Sequence, residues 1–432
     1  MSILNPAMES ISRNERKKLQ SERLRAIVKH ESDNVAFYRE RMDKAGVKPE
    51  DIGGIDDLHL LPFMEKNDLR DGFPFGLLAV PQQQIVRIQG SSGTSGNPIV
   101  TGYTENDIEV WTEMAARALA AAGCDTNSVV QVAYGYGLFT GGLGLHQAAS
   151  RLGAMVIPMS SGNTQRQIIM MKELGTTILC CTPSYAIYLG ETARDMGILS
   201  QLKLRGGCFG GEPWSEKMRA ELEGLFGIDA LDIYGLSEIA GPGVSFECQV
   251  KKGLHINEDH IIAEVVNPET GKSLPYGETG ELVMTTITKT GQPMLRYRTR
   301  DICALNNEPC PCGRTTLRMS RLAGRTDDML VVRGLNVYPG QIESVLALVS
   351  GITPHYLIIV DRRASLDNLE VHVELTEDMF SDTISQIQAL ENSIASQIKS
   401  VVGIQADVKL VPPRSLPRSE GKSKRVVDKR RI

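Results

Sequence analysis

Between residues 129 and 234, short apolar runs closed by glycine or proline alternate with stretches of helical spacing. The strand-like runs are 129–133, 154–158, 177–183 and 231–234, and the helical stretches include 164–174 and 215–226. Strand and helix in alternation can bury their apolar faces together by laying helices over a largely parallel sheet. The expectation is therefore an α/β fold with layered, mostly parallel sheet. Ligands of such sheets bind beyond the carboxyl ends of the strands, where these turns lie.

The rest of the chain extends this frame. Residues 10–30 read as a surface helix, with Arg16-Lys17-Lys18 as its solvated face. Thr104 and Asp107 form a cap before a helix with apolar positions Ile108, Trp111, Ala115, Ala118 and Ala122, and Gly123 ends it. Segments 280–286 and 294–298 read as strands of a smaller β unit. From residue 326 the pattern changes to that of a small α+β domain. It has strands at 328–332, 356–360, 369–375 and 406–411, a helix opened by Pro339 and running to 349, and a helix 382–402 closed by Gly403. The tail 412–432 is basic and reads as loop, with a disordered charged end as its plain alternative. The expected division is 1–325 and 326–432.

The chain has 432 residues and a net charge of -5, so nothing in its overall charge attracts nucleic acid or anionic membrane. No apolar run reaches the roughly 18 residues of a membrane span. The first residues lack a secretory pattern, so the expected location is cytoplasmic and the eight cysteines read as thiols or metal ligands rather than disulfides. A homodimer is compatible with all of this.

One loop carries chemistry. Gly90-Ser91-Ser92-Gly93-Thr94-Ser95-Gly96 offers backbone N–H groups and hydroxyls, a composition suited to wrapping phosphate. It is not a Walker loop, because Asn97 and Pro98 follow Gly96 where that motif needs Lys-Ser/Thr. Alone it reads equally as a Ser/Gly linker. Two further glycine-rich turns stand out. Ala133-Tyr134-Gly135-Tyr136-Gly137-Leu138-Phe139-Thr140-Gly141-Gly142 could wall a flat apolar pocket, since glycine lets backbone approach a ring closely. Gly206-Gly207-Cys208-Phe209-Gly210-Gly211-Glu212-Pro213 is similar, with a carboxylate at its tip.

These blocks occur in a fixed order with Tyr234-Gly235-Leu236-Ser237-Glu238, Tyr297-Arg298-Thr299-Arg300-Asp301, Gly324-Arg325-Thr326-Asp327-Asp328 and Pro417-Arg418-Ser419-Glu420-Gly421-Lys422. In this combination the chain resembles the acyl-adenylate-forming enzymes, and within them the phenylacetate–CoA ligase family. The closest marks are the 133–142 block, Gly241-Pro242-Gly243-Val244, Gly253-Leu254-His255 and Val332-Arg333-Gly334-Leu335-Asn336-Val337-Tyr338-Pro339. The resemblance runs from about residue 34 to 428. It implies a large adenylate-forming domain with a β subdomain, followed by a small mobile domain. It also implies two half-reactions. A carboxylate attacks the α-phosphate of ATP, releasing pyrophosphate, and coenzyme A thiolate then takes the acyl group, releasing AMP.

The resemblance assigns roles residue by residue. Ser91, Ser92, Gly93, Thr94, Ser95 and Gly96 would hold the β- and γ-phosphates, with Asn97 standing where the family commonly has lysine. Gly211, Glu212, Pro213, Asp232, Tyr234 and Gly235 would surround the adenine. Ser237 would reach the α-phosphate, and Glu238 would ligate Mg²⁺, a hard cation that takes carboxylate oxygen. Asp301 would accept the ribose hydroxyls, with a salt bridge to Arg298 or Arg300 as the plain structural alternative. Arg325 would lie near ribose and phosphate, Asp327 at the hinge of the small domain, and Gly334 beside the pantetheine of coenzyme A. Lys422 would offset charge in the adenylation transition state. Tyr134, Tyr136, Phe139 and Ala240 would line an aryl-acid pocket.

Cys310-Pro311-Cys312-Gly313 looks like half of a zinc knuckle, which Cys248 and His255 could complete as a structural Zn²⁺ site, with Cys303 as a substitute ligand. The alternative is buried thiols and a core histidine. Two other functions fit parts of the sequence: transfer of the acyl group to a carrier-protein thiol or an amine, and a non-catalytic binding protein. The presence of Lys422 and Glu238 weighs against the second.

Overall fold

The computed structural model describes residues 2–91, 99–328, 330–333, 335–363, 366–380 and 384–430. Its main sheet has 12 strands. The parallel part runs in the order Met155–Ile157, Val129–Val132, Ile178–Cys181, Gly206–Gly210, Asp229–Leu236. Beyond Asp229–Leu236 the sheet becomes antiparallel, through Gly241–Glu247, Leu254–Ile256, Arg318–Met319, Tyr297–Asn306, Thr279–Thr286 and Ile261–Val266. A short strand, Gly324–Arg325, pairs beside Asp301 and Ile302.

Strands Ile178–Cys181 and Gly206–Gly210 are buried at every position, as parallel strands covered on both faces must be. This corrects the reading of 206–210 as a turn. The glycines there hid a central strand, and only Gly211, at φ +84°, turns the chain out of the sheet. Helix Glu105–Ala121 starts where its cap signals place it. Thr104 Oγ1 accepts from the Asp107 amide at 3.2 Å, and the Asp107 carboxylate accepts from the Thr104 amide at 2.9 Å. The same carboxylate accepts from the Thr290 and Gly291 amides at 2.7 and 2.8 Å, fixing this helix to the turn after Thr279–Thr286.

The C-terminal sheet has the order Asp407–Val411, Leu366–Leu375, Ile352–Arg363, Val426–Asp428, with an antiparallel centre and parallel outer strands. Helices Pro339–Ala347 and Ile384–Val402 cover it. Its separate core includes Ile342, Ile358, Val371, Ile394 and Ile398, all fully buried.

Two expectations fail here. Residues 412–430 are not a loose charged end, because Val426–Asp428 completes the small sheet and Arg430 pairs with Asp367 at 2.8 Å. Two valines between charges are too short a run to show a strand period. Arg16 is not on a solvated face. It is 1% exposed and lies 3.5 Å from Glu258, while Lys17 and Lys18 stay exposed.

Candidate functional site

The main sheet changes from parallel to antiparallel beside Asp229–Leu236, and the groups expected at nucleotide converge at that strand's carboxyl end. Tyr234 Oη donates to Asp301 Oδ2 at 2.6 Å. Asp301 Oδ1 accepts from Arg325 Nη1 at 2.7 Å, and Arg325 Nε donates to Asp327 at 2.8 Å. Arg298 and Arg300 are engaged elsewhere, on Glu281 and Glu65, so the arginine partner of Asp301 is Arg325. The reason is local pairing: Asp301 stands opposite Arg325 in the sheet. Asp301 is 3% exposed, and burial raises its carboxyl above the usual range against the pull of Arg325 and Tyr234. Gly235 lies so near the carbonyl of Gly241 that a Cβ would sit 1.7 Å from it, which leaves no room for a side chain.

Asp232 faces Trp214, Glu247 and Arg321. Its carboxyl is pushed up to about 8 by burial and then by the neighbouring Glu247.

The next two residues after the strand are held by their backbone. Tyr103 Oη donates to the Ser237 carbonyl at 2.7 Å, and Lys289 Nζ donates to the Glu238 carbonyl at 3.0 Å. Lys289 Nζ also sits 4.3 Å over the Tyr103 ring. Burial pushes this ammonium down to about 7, against the pull of Asp107, Glu238 and Glu31. The Glu238 side chain has a single long contact among the described residues, 3.5 Å from Tyr297 Oη. A carboxylate left so weakly engaged suits a hard cation. Neither Tyr103 nor Lys289 was read from the sequence as part of the site, since a lone aromatic and a lone lysine carry no motif.

At the ends of the neighbouring strands, Tyr134 Oη donates to the Cys181 and Gly210 carbonyls at 2.7 and 3.1 Å. A Cβ on Gly211 would lie 3.7 Å from Lys422 Cε, 3.8 Å from Tyr134 Cε1 and 3.9 Å from Thr182 Cγ2. Lys422, some 200 residues away in sequence, is thus brought onto the Gly211-Glu212-Pro213 turn beside Tyr134. Tyr136 Oη is 3.2 Å from His146 Nδ1. Ala240 is 6% exposed and lines a small cleft with Tyr103, Met114, Ile239 and Lys289. Phe139 is 51% exposed at the start of helix Thr140–Arg151 and faces solvent. Ser92, Gly93, Thr94, Ser95, Gly96 and Gly334 lie outside the described residues. Ser91 ends a strand, Arg87–Ser91, paired antiparallel with Ile99–Tyr103.

The cysteine cluster is built from Cys248, His255, Cys310 and Cys312, whose ligand atoms all lie within 4.8 Å of one another. Cys303 is buried outside it. Cys248 Sγ to Cys310 Sγ is 3.8 Å, and Cys312 Sγ to His255 Nε2 is 3.4 Å. A tetrahedral zinc with Zn–S near 2.3 Å has ligand edges of about 3.8 Å. His255 Nδ1 is occupied by Thr316 Oγ1 at 2.9 Å, which leaves Nε2 for a metal. Hydrogen bonds from Cys248 and His255 favour the thiolate at Cys312. The donor set fits zinc.

Residues 14–290 match the AMP-binding enzyme family, and 334–430 match the AMP-binding enzyme C-terminal domain. The chain is 46% identical over 444 residues to the phenylacetate-coenzyme A ligase of Thermus thermophilus, covering 99% of this chain and 100% of that one. To the Escherichia coli phenylacetate-coenzyme A ligase it is 48% identical over 428 residues, covering 98% and 97%. Among solved structures it resembles 2-hydroxyisobutyryl-CoA ligase in the postadenylation state with 2-HIB-AMP, at TM-score 0.90, 28% identity and coverage of 98% and 91%. Against the same enzyme in its thioesterification state the TM-score is 0.73, with 29% identity and coverage of 98% and 92%. Among the described residues no helix is long and apolar enough to cross a membrane.

Proposed function

The chain belongs to the AMP-binding enzymes, within the phenylacetate–coenzyme A ligase family, and on that premise we propose that it is an ATP-dependent aryl-acid–CoA ligase working through an acyl-adenylate. The observation that carries the residue-level reading is the convergence of Lys422, Gly211 and Tyr134.

In the first half-reaction a carboxylate oxygen of the aryl acid attacks the α-phosphorus of ATP and pyrophosphate leaves. Negative charge gathers on the α-phosphate, and Lys422 offsets it. Ser237 binds the α-phosphate. Tyr234 and the 211–213 turn flank the adenine with Asp232 and Gly235 nearby, and Asp301 accepts the ribose hydroxyls with Arg325 beside it. The Ser91–Gly96 segment takes the outer phosphates. Glu238 would hold Mg²⁺, which neutralises phosphate charge when bound; Tyr103 on the Ser237 carbonyl and Lys289 on the Glu238 carbonyl keep the backbone in place for it. Tyr134, Tyr136 and Ala240 are proposed for the acid pocket; Phe139 keeps that role only if it turns inward on binding.

We divide the chain at 325/326, with Asp327 as hinge, and place Gly334 next to pantetheine after the small domain turns. In the second half-reaction coenzyme A thiolate attacks the acyl carbon and AMP leaves. The higher TM-score against the postadenylation form supports an adenylation-type arrangement for the structure described above. Zn²⁺ held by Cys248, His255, Cys310 and Cys312 would be structural, tying the 310–313 turn to the strand Leu254–Ile256. The reading is of a cytosolic enzyme.

A pyrophosphate-release screen over phenylacetate-, benzoate- and aminobenzoate-type acids, with and without coenzyme A, tests it. Release with an aryl acid and a CoA thioester product are expected. Absence of release with every such acid refutes the aryl reading, and an adenylate that coenzyme A does not consume refutes the acceptor.

A further inference from the structure

The turn that carries Lys422 is gripped on both sides of the lysine by one small region of the main sheet. Upstream, the Gly421 carbonyl accepts from Thr182 Oγ1 at 3.0 Å and from Ser184 Oγ at 3.3 Å. Downstream, the Ser423 amide donates to Glu212 Oε2 at 2.7 Å. The other oxygen of Glu212 accepts from the Ser184 amide at 2.8 Å, so the carboxylate joins the start of helix Pro183–Asp195 to the tail. Thr182 and Ser184 are 4% and 5% exposed. One residue further back, Thr164 Oγ1 donates to Glu420 Oε1 at 2.8 Å. No atom of Lys422 itself is needed for any of these bonds.

Lysine is a poor instrument for precise placement, because its four-carbon stem rotates freely. Fixing the backbone immediately before and after it removes part of that freedom and sets the direction of the stem. Sub-ångström errors in such placement are expensive for a reaction whose catalysis is positioning.

We propose that Glu212, with Thr182 and Ser184, is a latch that positions Lys422 for adenylation through the backbone of Gly421 and Ser423, and that it has no part in thioester formation. This rests on the assignment of Lys422 made above. The side chain of Glu212 thereby has a role distinct from the adenine contacts proposed for the 211–213 backbone. The grip joins residues on either side of the proposed 325/326 division, so it must open when the small domain turns.

The two half-reactions are measured apart: pyrophosphate exchange or release for the first, and conversion of synthetic acyl-adenylate with coenzyme A for the second. Glu212→Ala and Thr182→Val are each expected to slow adenylation about 10- to 100-fold, mainly in kcat and with the KM for ATP changed less than about threefold. Thioester formation by Thr182→Val is expected to stay within about twofold, and Glu212→Gln, which keeps an acceptor, to recover part of the loss in adenylation. Thr182→Val separates the latch from adenine binding, since it removes only the hydroxyl that donates to the Gly421 carbonyl and keeps the methyl that lies beside Gly211.

Equal loss in both half-reactions, as a damaged fold would give, overturns the latch. So does a rise confined to the KM for ATP, or no loss at all. Lys422→Ala serves as reference. If it loses adenylation selectively while Glu212→Ala and Thr182→Val do not, the latch alone is wrong. If Lys422→Ala spares adenylation, the assignment of the lysine falls and the latch with it.

Discussion

Asp301 divides its two oxygens between partners of different kinds: Tyr234 donates to Oδ2 at 2.6 Å and Arg325 to Oδ1 at 2.7 Å. The tyrosine reaches it from strand Asp229–Leu236 and the arginine from Gly324–Arg325, so one buried carboxylate fixes the ring and the guanidinium together. Asp301→Asn keeps the shape but removes the charge that balances Arg325. The expected loss is about 1–3 kcal/mol of stability. If ribose binds here, the KM for ATP rises at least about tenfold while the KM for the acid changes little. Tyr234→Phe leaves Oδ2 without its donor and is expected to cost about 1 kcal/mol. Denaturant melts and steady-state kinetics on both variants check this, and an unchanged KM for ATP would remove Asp301 from the nucleotide site.

Lys289 predicts a pH signature of its own. Its folded value lies near 7 against an ordinary value of 10.5, because burial outweighs the acids around it. Between those values the unfolded chain holds a proton that the folded chain has lost. Stability therefore rises with pH through this window, by up to about 1.4 kcal/mol per pH unit, and is flat below it. Lys289→Met should lack that slope. Urea titrations of both proteins from pH 7 to 9.5 give the comparison; parallel curves would show that Lys289 stays charged in the fold.

Much of the fold was legible because its signals are local. The capped helix at Thr104, the apolar runs 154–158 and 177–183, and the alternation in 369–375 declare themselves within a few residues. The strand Gly206–Gly210 did not, since three of its five residues are glycine and give no side-chain period. Val426–Asp428 was hidden for another reason: it is a strand only because Ile352–Arg363 offers it an edge. The site divides in the same way. Tyr234, Glu238, Asp301 and Lys422 stand in blocks with a recognisable order. Tyr103, Lys289, Thr182 and Ser184 act through backbone carbonyls far away in sequence, and such contacts leave no pattern in the chain.

The thiol cluster is expected to bind about one zinc per chain in protein purified without chelator. Cys310→Ser should lose the metal and lower Tm by about 3–5 °C, the effect of a few kcal/mol in a chain of this size. Because all four ligand positions of the site are filled by protein, turnover measured well below the new Tm should stay within about threefold. Metal analysis and calorimetry decide the matter. A chain free of zinc with unchanged stability on mutation would return Cys248, His255, Cys310 and Cys312 to the buried core.

Glu221 offers the opposite pH dependence to Lys289. It lies on helix Glu216–Phe226, within reach of Glu191 and of His355 from the small sheet. Burial, and then the like charge of Glu191, push its carboxyl up to about 7 from 4.5, although Arg418, Lys217 and Arg194 pull the other way. Arg418 is largely spoken for, being paired with Glu374 at 2.8 Å and Glu191 at 3.3 Å. With the folded value raised, the folded chain holds a proton that the unfolded chain has lost between pH 4.5 and 7. Stability from this group is full below that window, falls through it as pH rises, and is lost above it. At pH 8 the ionised carboxylate therefore opposes folding, and Glu221→Gln removes it. The expected gain is about 1–2 kcal/mol at pH 8, shrinking towards zero near pH 4.5. Because Glu221 faces residues from both sides of the 325/326 division, the same substitution should also protect that interface from proteolysis at pH 8. A gain that is equal at pH 5 and pH 8 would mean that the amide improves packing and that Glu221 titrates normally.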